Sequence, residues 1–420
     1  MARYLFTNAR VFDSAGRAPF PGEVLVSGNR VEIVNEGPDP LARANTEVID
    51  CAGATLMPGL VESHAHLSWP SSVGRIINTM MPPLEEHLFV TARNARVTLD
   101  AGFTSAFSAG SLRARFEVAL REEIDGGWIP GPRLRASTLE RLPDGALGQQ
   151  AKPDEDHPRG PAAMRDYVKR MASAGVDSIK YQLSSDDAFV PGGSQLVIYT
   201  DDEVAAIGSQ ARESGVSLSC HAQANEAIRM ALRHGFRAIY HCSHADEATL
   251  DMMEAKKNEI FVAPAVGLLY SRIHEAEAFG ISAKVDGAMG AVAGMERMLA
   301  LYPKMRKRGI RVLPGGDYGF PYNPIGRNAR DLQLFVDLFG YTPIETLVAA
   351  TRSGGELMGQ GDLIGLLKPG YLADLLVVDG DPTIDVRILQ ERDRLVMIMK
   401  DGKFHHRQVA GHRENADGPR

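Results

Sequence analysis

Between residues 57 and about 355 the sequence alternates apolar, strand-like runs with amphipathic helical stretches. Met57–His66, Gly102–Phe107, Arg133–Ser137, Gly175–Tyr181, Gly215–His221, Phe236–His241, Ile260–Pro264 and Arg311–Asp317 read as strands. Leu112–Asp125, Met164–Ala174, Asp201–Ser214 and Glu226–His234 read as helices. Thr200 before Asp201-Asp202-Glu203 is a cap followed by first-turn acids, and Gly235 closes the helix before it. Strand–helix repetition over this length predicts parallel strands with helices outside them, closed into a (β/α)8 barrel. No Gly-x-Gly-x-x-Gly phosphate loop supports an open, doubly wound sheet.

The flanks differ. Residues 1–56 hold short strands with turns, including a hairpin around Gly28-Asn29, and β character returns in Gly370–Asp379 and Arg394–Lys400. Neither piece can bury a good core alone. The expected division is therefore a composite β-sandwich from 1–56 and 361–420, and a barrel over 57–360. The polar stretch from about Gln408 reads as a tail.

Residues able to bind metal fall at the ends of the strand-like runs. His64 and His66 are separated by one residue, so on a strand both imidazoles point the same way. Lys180, His221, His241 and Asp317 close four further runs. In a (β/α)8 barrel the carboxyl ends of the strands meet on the face that carries catalysis. Four histidines, a lysine and an aspartate would then share one pocket, which is metal-ligand chemistry. Each residue alone also has a structural reading: a surface strand for His64 and His66, a snorkelled Lys180, a core His241, a turn-forming Asp317. Their common placement weighs against all of these at once. His87, His157, His234, His274, His405 and His406 fall at no such position, and His244 is a loop residue or a substrate contact.

A net charge of −7 leaves no basic footprint, so nucleic acid is not expected as a partner. No apolar run reaches membrane-spanning length, and the first residues carry no leader-like h-region. Three cysteines form no disulfide framework and suit a reducing compartment. The expectation is a cytoplasmic homo-oligomer acting on a small molecule.

The chain resembles the amidohydrolase superfamily, in its imidazolonepropionase-like, prolidase-like and ochratoxinase-like branch. The resemblance rests on Met57–His66, Gly131-Pro132-Arg133, Ser178-Ile179-Lys180, Cys220-His221-Ala222, Ile239-Tyr240-His241, Gly315-Gly316-Asp317 and Leu366–Leu375. It implies two divalent ions, with zinc the expected metal. His64, His66 and Asp317 would hold the more buried ion and His221 and His241 the more exposed one. Lys180, carboxylated by CO2, would bridge them. Two departures stand out: Glu62 where the family has Asp, and Tyr240 where it has Glu.

The mechanism that follows is attack of a metal-bridging hydroxide on a carbonyl, with Asp317 carrying the proton to the leaving group. His244 and Tyr181 are the candidates for steadying the oxyanion. Trp69, Gly267–Tyr270 and Tyr318–Tyr322 offer an apolar, aromatic wall, and Arg272 or Arg327 could meet a substrate carboxylate. The expected substrate is an amide in an N-acyl amino acid, a dipeptide or an aryl amide. Alternatives are a cyclic amide, carbamate, urea or lactone on the same scaffold, and a non-catalytic metal-binding protein. A cysteine hydrolase using Cys220 or Cys242 is the weakest reading.

Overall fold

The computed structural model describes residues 2–140, 159–188, 191–281 and 290–408; His157 and the residues after Gln408 lie outside them. The chain opens with β1 (Arg3–Val11), β2 (Phe20–Ser27), β3 (Arg30–Glu36), β4 (Glu47–Asp50) and β5 (Thr55–Pro58). It continues through β6 (Leu60–Ala65), α1 (Leu84–Asp100), β7 (Phe103–Ser108), α2 (Phe116–Asp125), β8 (Arg133–Arg135) and α3 (Pro161–Ser173). Then come β9 (Ser178–Gln182), α4 (Asp201–Ser214), β10 (Ser217–Ala222), α5 (Asn225–His234), β11 (Ala238–His241) and α6 (Glu247–Ala255). β12 (Phe261–Ala263), α7 (Val266–His274), α8 (Ala291–Lys307), α9 (Arg330–Phe339) and α10 (Pro343–Val348) precede the closing strands β13 (Leu375–Val378), β14 (Leu395–Lys400) and β15 (Lys403–Arg407).

Strands from both ends of the chain join one sheet, in the order β15-β14-β13-β5-β1-β2-β3 with β4 also on β1. The expected hairpin is there, with Ser27 opposite Arg30. β1 forks the sheet: Tyr4–Thr7 pair with β4 and Arg10–Val11 with β5. The join between the ends is β5 against β13, running from Pro58 opposite Leu375 to Thr55 opposite Val378. Alternation then places β13 between two cores. Leu375 and Val377 pack with Phe6, Val11, Val24 and Val26. Leu376 and Val378 pack with Leu60, Leu99, Phe103 and Leu332 of the α/β part. Each such buried side chain stabilises the fold by ~1.5–3 kcal/mol.

The parallel strands form two sheets, β6-β7-β8 and β9-β10-β11-β12. Parallel bridges Ser137–Ser178 and Val262–Val312 connect the first to the second and extend the second by one more segment. That last segment returns to the first strand, where Ser63 Oγ donates to the Pro314 carbonyl at 2.5 Å. Ile179, Tyr181, Leu218 and Cys220 pack outward among Met164, Tyr167, Val204 and Ile228 of α3, α4 and α5. Strand periodicity therefore turns Lys180 and His221 to the other face.

α4 starts and stops as its sequence signals. Thr200 and Glu203 make a reciprocal capping box, and Gly215 closes the helix at φ +69°. Two expected elements are shorter. The helix expected from Leu112 begins at Phe116; the residues before it form turns, with the Leu112 N–H donating to Ser68 Oγ at 2.8 Å. Arg311–Asp317 makes only the bridge at Val312, since Pro314 lacks an N–H and Gly315-Gly316 turn the chain away. Among the described residues, no helix is long and apolar enough to cross a membrane.

Candidate metal centre

His64, His66, His221, His241 and Asp317 converge where β6, β10, β11 and the Pro314–Asp317 turn end. Ring centroids lie 5.2 Å apart for His64 and His66, 5.5 Å for His64 and His241, and 4.3 Å for His221 and His241. Asp317 Oδ1 is 3.1 Å from His66 Nε2 and 3.7 Å from His64 Nε2. Ligand atoms of His64, His241 and Asp317 all lie within 4.8 Å of one another. Their fit to a divalent cation shows in what they leave unsatisfied: His64 Nδ1 and Asp317 Oδ1 are buried with no hydrogen-bond partner. His66 donates Nδ1 to the Gly110 carbonyl at 2.9 Å, which leaves Nε2 facing Asp317.

Burial first, and then nearby cationic groups, hold His64 and His241 well below the ordinary histidine range. Neutral imidazoles are what metal binding requires. The backbone is left-handed at His241 (φ +72°) and Asp317 (φ +57°), a conformation concentrated at functional sites. Asn323 Nδ2 donates to the carbonyls of Gly316 and Asp317, holding that turn.

Lys180 lies on the inner face of β9 and donates to the Ala109 carbonyl at 2.9 Å. Its Nζ is 4.6 Å from the Tyr240 ring centroid, and Tyr240 stacks on His64 at 4.0 Å. The Tyr240 hydroxyl donates to the Ser63 carbonyl, so this residue orients His64 instead of facing substrate. Glu62 turns away from the candidate ligand atoms. It accepts from the His64 N–H and from Asn328 Nδ2, and burial pushes its carboxyl up to about 8.

Tyr181 is not part of the cluster. It points outward from β9, and its ring packs among Tyr167, Tyr199 and Phe236. One step along a strand reverses the side chain, so Lys180 and Tyr181 cannot face one pocket. His244 is partly buried on the loop after β11, with Nε2 2.8 Å from Ser194 Oγ. Trp69 stacks on His66 at 3.9 Å and Phe320 meets Trp69 edge-on, whereas Tyr318 turns its hydroxyl to Asp331 and Tyr270 packs on His274. Gly319 (φ +140°) allows the placement of Trp69: a Cβ there would lie 2.4 Å from Trp69 Cβ. Arg327 is held by Glu275 at 2.8 Å, and Arg272 lies on α7. Burial pushes the Cys220 and Cys242 thiols up, away from the thiolate a nucleophile needs.

Two acids were missed by sequence reasoning. Asp331 is buried behind the Asp317 turn and accepts from the Tyr318 hydroxyl and the Gly315 N–H, and burial pushes its carboxyl up to about 7. Glu140 Oε1 is 3.3 Å from Lys180 Nζ. Neither sits in a pattern that marks it: Asp331 reads as a first-turn helix acid, and Glu140 as one charge in a polar stretch.

The amidohydrolase family profile matches residues 55–405. An ochratoxinase from Aspergillus niger is 27% identical over 384 residues, covering 83% of this chain and 75% of that protein. An imidazolonepropionase from Sphingopyxis alaskensis is 22% identical over 404 residues, covering 90% and 92%. Among solved structures, a Xaa-Pro dipeptidase with bound methionine superposes with a TM-score of 0.82 at 22% identity, covering 96% of this chain and all (100%) of the other. The A. niger ochratoxinase superposes at 0.79 and 22%, covering 97% and 96%. These superpositions show a common fold, and the profile match across most of the sequence shows that the chain belongs to the amidohydrolase family.

Proposed function

We propose that this chain hydrolyses the amide bond of an N-acyl amino acid, a dipeptide or an aryl amide at a binuclear metal centre. The observation that carries the reading is the convergence of His64, His241 and Asp317 within 4.8 Å, with His64 Nδ1 and Asp317 Oδ1 left without a hydrogen-bond partner. His64, His66 and Asp317 would hold one ion and His221 and His241 the other, with a carbamate on Lys180 between them. Histidine and carboxylate donors favour zinc. Two such ions would supply the Lewis acidity that makes hydroxide available near neutral pH and polarises the amide carbonyl.

The chain's own residues do the rest. Asp317 receives the proton of the attacking water at Oδ1 and delivers it to the leaving nitrogen, its carboxylate lying 3.1 Å from His66 and within 4.8 Å of the ligand atoms of His64 and His241. Gly110 and Trp69 fix His66, and Tyr240 fixes His64. His244 is the remaining candidate for steadying the oxyanion. Trp69, Phe320 and Tyr322 form an aromatic side suited to a bulky apolar substituent. The name Xaa-Pro dipeptidase supports the dipeptide arm.

Two sheets joined by parallel bridges, with Ser63 meeting Pro314, support a closed (β/α)8 barrel over 57–360. The shared sheet supports a composite terminal domain from 1–56 and 361–420. The test is metal analysis together with turnover of N-acyl amino acids, dipeptides, aryl amides, ureas and lactones before and after chelation. Full activity in a metal-free preparation would end this reading, and turnover of ureas or lactones alone would change the bond.

A further inference from the structure

Lys180 is 1% exposed. Around its Nζ stand the Ala109 carbonyl at 2.9 Å, the Tyr240 ring at 4.6 Å and Glu140 Oε1 at 3.3 Å. Of these only Glu140 carries the opposite charge. It follows Leu139, which bridges in parallel to Ser111, so it stands at the carboxyl end of the segment that continues β8. It also lies against the segment that orients His66: a Cβ on Gly110 would be 3.4 Å from Glu140 Cβ. A buried cation held by one carboxylate is strongly destabilised when that partner is lost or reversed in sign.

Carboxylation reverses the sign on the other side of the pair. The ammonium gives up a proton, and the freed Nζ electron pair forms a bond to the carbon of CO2. One C–O π pair moves onto oxygen, the nitrogen releases a second proton, and both protons go to water. A cation facing Glu140 becomes an anion facing Glu140. Two like charges at this separation repel, with Lys180 buried and the Glu140 side chain only 19% exposed. A divalent ion on the adjacent histidines and Asp317 would attract both.

We propose that Glu140 makes carboxylation of Lys180 conditional on metal: without metal it pairs with the unmodified lysine, and with metal bound the carbamate becomes the favoured partner. This rests on the reading of Lys180 as a carboxylated bridge. It gives Glu140 the role of a positioning residue in assembly of the centre.

The experiment titrates the chelator-treated protein with 13C-bicarbonate and follows the carbamate carbon by NMR, before and after adding Zn2+. Wild type should show the carbamate only after zinc. Glu140→Gln should show it without metal, half-saturating at a bicarbonate concentration lower by about tenfold or more, the effect of one modest charge interaction. The same bicarbonate dependence in both proteins overturns the proposal; if the signal still appears with zinc, the Lys180 bridge survives. No carbamate in either protein with zinc overturns both. Should Glu140→Gln fail to fold, Glu140→Ala takes its place in the comparison, and a carbamate on the metal-free wild type overturns the proposal by itself.

Discussion

Trp69 lies face to face with His66, ring centroids 3.9 Å apart and planes within 12°. The other side of the orientation is the Gly110 carbonyl on His66 Nδ1. Stacking is worth ~0.5–1.5 kcal/mol, so Trp69→Ala should weaken metal binding by up to about tenfold, with Trp69→Phe keeping most of it. Competition between the protein and a chelating dye measures this. Unchanged affinity in the alanine variant would leave Gly110 as the sole restraint.

Asp317→Asn should abolish turnover by at least ~10²-fold, the usual scale of a lost acid–base group. The fold should hold, because asparagine tolerates the left-handed backbone (φ +57°) found at this position. Melting temperature and turnover together decide the matter. An intact fold with retained activity would move the proton transfer elsewhere.

On the proposed binuclear centre, Lys180→Ala should lower the metal content per chain by about half, and formate or acetate should restore part of it. A small carboxylate can occupy the room that the side chain leaves between the Ala109 carbonyl and the Tyr240 ring. Metal analysis with and without the added anion is the readout. Unchanged stoichiometry in the variant would remove Lys180 from the centre.

Glu117, on α2, offers a test of stability away from the candidate metal centre. Burial pushes its carboxyl up to about 7, against hydrogen bonds from the Ser108 side chain and the Ser137 N–H. Between about pH 4.5 and 7 the folded chain keeps a proton that the unfolded chain has released, so stability falls as pH rises through that window. The full effect is on the order of 3 kcal/mol. Glu117→Gln should therefore be more stable relative to wild type at about pH 8 than at about pH 5. Parallel melting-temperature losses in both proteins over that range would contradict it.

The candidate donors could be picked out of the sequence because strand periodicity is a local rule repeated along the chain. His64, His66, Lys180 and His221 each close an apolar run whose parity tells which neighbour shares its face; His241 follows Tyr240, the register partner of His221, and reaches the same side through its left-handed backbone (φ +72°), which no periodicity encodes. The same rule, applied one residue on, would have removed Tyr181, since Tyr181 follows Lys180 directly. The pairing of β5 with β13 was also foreseeable in outline, because neither terminal piece could bury a core by itself.

Tertiary structure alone decided the rest. Trp69 on His66, Tyr240 on His64, Asn328 on Glu62 and Glu140 on Lys180 are contacts between residues far apart in the chain or on turns whose direction no periodicity encodes. A sequence states which donors a strand end can present. Whether a carboxylate meets a lysine, an amide or a metal depends on which loops the folded chain brings together, and that is set by packing across the whole molecule.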